Sequence, residues 1–174
     1  MSQGSYRIFI PGGELVESFV AAPGPAGWRY FGRVHEPGSE REQYVVDHVT
    51  DLDWRLIRLR LLGPGRELVV ERSPNGVHVI GPDEVAEFDG VDVVWSPSPW
   101  SVKVLAEHLK GEERAVDAVR VGLDGPAERI RVELRRGEGA HGTALVVDGS
   151  TAQAVYGPDV PERVEGWFEL LVGG

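Results

Sequence analysis

Residues Val91 to Gly111, VDVVWSPSPWSVKVLAEHLKG, decide how the rest of the chain is read. A β-branched run, Val91 to Trp95, breaks at Ser96-Pro97-Ser98-Pro99. Trp100 to Lys110 then carries the best amphipathic helix pattern in the sequence. Trp100, Val104 and His108 repeat at i, i+4, i+8, with Val102, Leu105 and Leu109 beside them. Ser96 or Ser98 is expected to cap this helix, because a serine hydroxyl accepts a bond from the unpaired first-turn amides. The proline after each serine suits the first helical position, and Gly111 suits a left-handed stop. A lone helix among strands must lay its apolar stripe on a sheet. It is therefore expected on the concave side of a curved sheet, as a lid or plug.

Outward from this segment the chain reads as short strands separated by turns. Before it come Tyr6–Ile10, Trp28–His35, Gln43–Val49, Trp54–Leu62, Glu67–Arg72 and Val77–Ile80. Asn75-Gly76 between β-branched residues is the strongest hairpin signal. Met1 to Ser5 is expected as a loose end, and Gly81 to Asp89 as an acidic connection. Glu14 to Ala22 fits both a helical turn and a strand, since Leu15, Val16, Phe19 and Val20 satisfy both periods. After the helix come Ala115–Leu123, Glu128–Arg136, Thr143–Val147, Ala152–Tyr156 and Gly166–Val172, with Gly137 to Gly142 as a loop and Pro158 to Pro161 leading into the last strand. About ten strands at regular spacing predict a mostly β fold over residues 1–174 as a single domain. The expected form is one curved antiparallel sheet, a half or partly closed barrel, with one principal helix on its concave side.

Composition narrows the partners. The 174 residues are 41% hydrophobic and 26% charged, which suits a packed domain. The net charge of -10 repels phosphate backbones, so no nucleic-acid partner is expected. Arg129, Arg131, Arg135 and Arg136 alternate with Ile130, Val132 and Leu134, as on the wet face of a strand. With no cysteine, disulfides, thiolate metal sites and a cysteine nucleophile are excluded. No apolar run is long enough to span a bilayer and no leader pattern is present, so the expected place is the cytoplasm, without membrane insertion.

No cluster of residues names a reaction. His35, His48, His78, His108 and His141 show no metal-ligand spacing, and neither metal nor cofactor is expected. Asp47 and His48 are neighbours in a strand and point to opposite faces. Asp51 and Asp53 suit a turn, where aspartate bonds to backbone amides. Ser96 and Ser98 are accounted for by capping, no catalytic residue is assigned, and Asp83-Glu84 and Glu112-Glu113 are read as solubilising carboxylates.

The run Tyr44 to Arg58, YVVDHVTDLDWRLIR, resembles a pattern in a bacterial family described as glycolipid-binding. There an alternating strand and an aspartate are followed by a Trp-Arg pair, here Trp54-Arg55. A Gly-rich hairpin follows, as Gly63 to Gly81 does here. Gly90 to Pro97 is similar to the family's next strand and its Ser/Thr-Pro end, and Gln153 with Tyr156 to its C-terminal Gln and Tyr. Val94 stands where the family has a second aspartate, and Trp100 to Lys103 replaces a Thr-Asn-Thr-Leu-Pro run. The resemblance covers residues 28–100. It implies a curved β half-barrel with a helical element, similar to lipoprotein carriers, that binds glycolipid or another amphiphile without catalytic residues.

Three functions remain open. The first is a binding protein for a lipid-like small molecule in an apolar cavity under the helix. Trp95, Trp100, Val104, Leu105 and His108 would line it, with Trp54, Arg55 and Arg58 at the pocket or its mouth. The second is a small-molecule hydrolase or isomerase with His48 or His108 as base. The third is a domain that works by association, for which an exposed sheet edge would be the sign. Oligomeric state is left open.

Overall fold

The structure is a computed structural model that describes residues 1–82, 85–110, 112–136, 143–156 and 160–173. Among the described residues fifteen strands form one sheet. They are β1 (Ser2–Ile10), β2 (Gly13–Gly24), β3 (Gly27–His35), β4 (Glu42–Asp51), β5 (Leu56–Gly63), β6 (Arg66–Arg72), β7 (Gly76–Ile80) and β8 (Val85–Asp89), then β9 (Val93–Trp95). One helix, α1 (Trp100–His108), precedes β10 (Ala115–Arg120), β11 (Glu128–Arg136), β12 (Thr143–Val147), β13 (Ser150–Tyr156), β14 (Pro161–Val164) and β15 (Phe168–Gly173). The fold is mostly β, a curved sheet not closed into a barrel, as the strand pattern predicts.

The order is β8-β7-β6-β5-β4-β3-β2-β1-β15-β14-β13-β12-β11-β10-β9. Two meanders thus run outward from a central seam where β1 pairs with β15. Every pairing is antiparallel except β9 with β10, which is parallel because α1 lies between them as a crossover. The edge strands β8 and β9 are consecutive in the chain. Residues 90–92 cross the gap, anchored where Gly90 N donates to Asn75 O at 2.6 Å and Leu56 N to Asp92 O at 3.2 Å. That short link joins the two edges of the sheet at one end.

Three segments differ from expectation. Ser2 to Ser5 is part of β1, held between β2 and β15, and Ser2 is buried. Strand pairing on both sides outweighs the weak local signal of a Ser/Gly segment. Residues 85–89, expected as a connection, form the edge strand β8 on β7. Pro161–Val164 adds a short strand between β13 and β15. The ambiguous Glu14 to Ala22 stretch is strand throughout. Asp83-Glu84, Gly111, the loop Gly137 to Gly142 with His141, and Pro158 lie outside the described residues.

The concave face is built in rows. Ala21, Tyr30, His48, Leu59, Val70 and Val79 are successive cross-strand partners, all fully buried. Phe19, Gly32, Val46, Leu61 and Leu68 form the next row. Helix α1 packs on this face with Trp100, Val102, Val104 and Leu105 buried. No described helix is long and apolar enough to cross a membrane.

Candidate functional site

Ser98 accepts from the first-turn amide of Trp100, as expected of a serine before α1, and both serines make further bonds besides. The N-cap position is Pro99, and no side chain caps the helix there. Ser96 Oγ and Ser101 Oγ are 2.9 Å apart. Ser98 Oγ donates to Glu17 Oε1 at 2.8 Å and accepts from Trp100 N at 3.3 Å. Double proline makes the turn rigid, so its hydroxyls can be aimed inward at the sheet. At the other end Lys110, with φ of 52°, takes the left-handed position expected of Gly111.

Trp100 enters an aromatic column across the concave face. Its ring stacks on Tyr30 at 4.8 Å, Tyr30 on Phe19 at 5.5 Å and Phe19 on Tyr6 at 4.8 Å, and Phe168 meets Tyr6 edge-on at 5.3 Å. Trp54 and Trp28 stack on each other at 5.4 Å and flank Trp100. The space between α1 and β3 is thus occupied by the protein's own rings, with Trp100, Val104 and Leu105 at most 1% exposed. Trp95 packs against Trp167 at 5.2 Å.

The expected polar contacts are dispersed. Arg58 lies on the convex face, where it and Arg29 hold Asp47 at 3.3 and 2.8 Å. Asp47 and His48 do point to opposite faces. Arg55 and His108 line a hollow of about 290 Å³ beside Asp53, Leu109, Glu112 and Arg114. Burial lowers the pKa of His108, and that of His48 to about 4. Neither ring nitrogen of His48 has a partner, and its ring is wholly enclosed. In this conformation no solvent-borne substrate reaches it. Asp51 is a turn residue, accepting from the amides of Asp53 and Arg55 at 2.9 Å each.

The unexpected group is Glu17. Its side chain points inward from β2 and is fully buried. Tyr30 Oη and Ser98 Oγ both donate to Oε1 at 2.8 Å, while Oε2 has no partner. Tyr6 sits directly across the β1–β2 pairing, and its hydroxyl also lacks a partner. Burial raises the Glu17 carboxyl to about 7, against the pull of the two hydroxyl donors. Burial and the Glu17 charge together raise the phenols of Tyr6, Tyr30 and Tyr44. The carboxylate thus sits against Tyr30, Ser98 and Gly32 and across the strand pair from Tyr6, and a buried ionisable group of this kind is a candidate for function.

Beyond this cluster the concave side opens. A cleft of about 680 Å³ is lined by Ile10, Leu15, Tyr44, Gly63, Pro64, Pro97 and Leu123, with Glu36, Gln43, Arg66 and Asp124 among its polar groups. Glu17, Tyr6, Tyr30 and Ser98 do not line it, but three of its lining residues are related to Glu17 by strand, charge or chain. Leu15 is two residues before Glu17 on β2, Tyr44 feels its charge, and Pro97 precedes Ser98. The connection from β10 to β11 leans over the opening, where Arg66 Nη1 donates to Leu123 O at 3.1 Å. The cleft continues past Leu123 into a second hollow of about 420 Å³ that also includes Leu68, Gly81 and Pro82.

Searches against family models, curated proteins and solved structures find no match to this chain. Among the described residues no three His, Asp or Glu side chains gather to hold a metal ion. Sequence reasoning missed Glu17 because the Glu14 to Ala22 stretch satisfied two periods. Read as a strand, Leu15, Glu17, Phe19 and Ala21 share a face, and a carboxylate on that inward face is the available signal.

Proposed function

We propose that the protein binds a small lipid-like amphiphile, with the apolar chain in the cleft between β1, β2, β4, β5 and the β10–β11 connection. The observation that carries this is the cleft itself. Its volume of about 680 Å³ lies within the range of small-ligand sites, and Ile10, Leu15, Tyr44, Pro97 and Leu123 supply apolar wall. Each methylene moved from water onto that wall contributes about 0.8 kcal/mol. Arg66 and Asp124 stand at the rim, where they stay hydrated. The resemblance of residues 28–100 to a bacterial family described as glycolipid-binding supports the same reading. The seat of the ligand differs from the sequence expectation, because the region under α1 is occupied by stacked aromatic rings.

Calorimetric titration with 1-decanol tests it. One equivalent should bind to the wild type, and Leu123→Glu, which puts a charge into the wall, should weaken binding by about tenfold or more. An absence of heat, together with an unchanged melting temperature in saturating decanol, refutes the reading.

A further inference from the structure

We infer that Leu123 sets the chain length of the ligand, as a partition between the cleft of about 680 Å³ and the hollow of about 420 Å³ beyond it. The inference rests on the amphiphile reading and specifies how long an apolar chain the site accepts.

The two spaces lie end to end across the sheet. The cleft takes walls from Ile10 on β1, Leu15 on β2, Tyr44 on β4 and Gly63 on β5. The further hollow takes Leu68 on β6 and Gly81 just past β7. These strands follow one another in the sheet, with β3 between β2 and β4. Five residues line both spaces, namely Arg66, Gly122, Leu123, Asp124 and Gly125. Leu123 alone among them brings an apolar side chain. The two glycines bring none, the Asp124 side chain is 99% exposed, and the Arg66 head is turned to Asp124 and the Leu123 carbonyl. The boundary an alkyl chain meets is therefore this one leucine.

Leu123 is held from two sides. A Cβ built on Gly63 would lie 2.7 Å from Leu123 Cδ1, so the side chain rests on bare backbone at the end of β5. Arg66 Nη1 donates to Leu123 O at 3.1 Å, which ties the carbonyl to the start of β6. A chain running along the cleft toward β6 meets this clamped side chain and turns out into water. Carbons past that point contribute nothing, because hydrophobic stabilisation follows the apolar area removed from water. With the leucine truncated, the same carbons continue onto Leu68 and Pro82. Each methylene buried there raises affinity about fourfold.

Equilibrium dialysis of the full chain against a mixture of 1-decanol, 1-dodecanol, 1-tetradecanol and 1-hexadecanol, dissolved with methyl-β-cyclodextrin, tests this. Gas chromatography of the two chambers gives the bound ratio of hexadecanol to decanol, and the preference of the cyclodextrin cancels between variants. Leu123→Ala should raise that ratio about fourfold or more over wild type, the gain from at least one further buried methylene. Leu123→Phe, which keeps a bulky apolar side chain at the boundary, should leave it at or below the wild-type value. Leu123 is only partly buried, so both variants retain the fold. A smaller rise in Leu123→Ala, or an equal rise in Leu123→Phe, overturns the partition alone. Retention of no alkanol by any of the three proteins overturns the amphiphile reading and the partition with it.

Discussion

A Cβ built on Gly32 would lie 2.1 Å from Glu17 Oε1. The absence of a side chain on β3 is what gives the buried carboxylate its place beside Tyr30. Backbone freedom is not the reason, because Gly32 does not adopt a positive φ. Gly32→Ala should therefore dislodge the carboxylate from Tyr30 and Ser98 and destabilise the fold by about 1–3 kcal/mol, the usual cost of overpacking. Pairing it with Glu17→Ser should recover part of that loss, because the shorter side chain vacates the spot. Urea denaturation of the single and double variants measures this coupling, and strict additivity would disprove the contact.

Glu17 and His48 should tilt the pH dependence of stability in opposite directions. Burial raises Glu17 from its ordinary 4.5 to about 7, so the folded state holds that proton more tightly. Its contribution is complete below about pH 4.5 and disappears as pH rises through about 7. Burial lowers His48 from 6.5 to about 4, so its contribution is present above about pH 6.5 and is lost as pH falls through about 4. In the overlap the two slopes oppose one another. Glu17→Gln should leave stability climbing with pH across that window, and His48→Phe should leave it falling, each by on the order of 3 kcal/mol. Unfolding free energies at four or so pH values decide the matter, and a Glu17→Gln profile parallel to the wild type would show that another group titrates.

The aromatic column predicts where tryptophan substitutions matter. Trp100 is 1% exposed and contacts Tyr30, Trp28 and Trp54, so Trp100→Ala should cost about 3–5 kcal/mol. Trp54 is only partly buried and covered on one side by Lys103, whose Nζ lies 5.7 Å from the ring centroid. Trp54→Ala should cost less. Trp100→Phe should be milder than Trp100→Ala, since it keeps a ring on Tyr30 and removes an indole N–H that has no partner. Chemical denaturation with near-ultraviolet circular dichroism checks the ranking.

On the convex face, Asp47 is 4% exposed under Arg29 and Arg58. Asp47→Ala removes the acceptor for both guanidinium groups and should destabilise the protein by about 1–3 kcal/mol. Arg58→Ala should cost less, because Arg29 still pairs with Asp47 through two bonds, at 2.8 and 3.1 Å. Since Arg58 lies on the side of the sheet away from the cleft, Arg58→Ala should leave decanol affinity unchanged. A matched calorimetric titration would detect any loss and return Arg58 to the ligand site.

Local pattern made much of this architecture readable. Proline-bounded Trp100 to Lys110 has one apolar stripe, which periodicity alone identifies as a helix that must rest on a sheet. Glu128 to Arg136 alternates, and in any strand successive side chains point to opposite faces without further information. That geometry separates Asp47 from His48, and turn chemistry accounts for Asp51. What the chain does not carry locally is the arrangement of distant segments. The pairing of β1 with β15, the edge strand at Val85–Asp89 and the inward role of Ser98 arise from contacts between residues far apart in sequence. Glu17 is the clearest case, since its surroundings come from β1, β3, β4 and the turn before α1, and no window of neighbouring residues contains them. The position of the open volume is likewise a matter of packing, because Trp100 fills one end of the concavity only once Tyr30 stands opposite it.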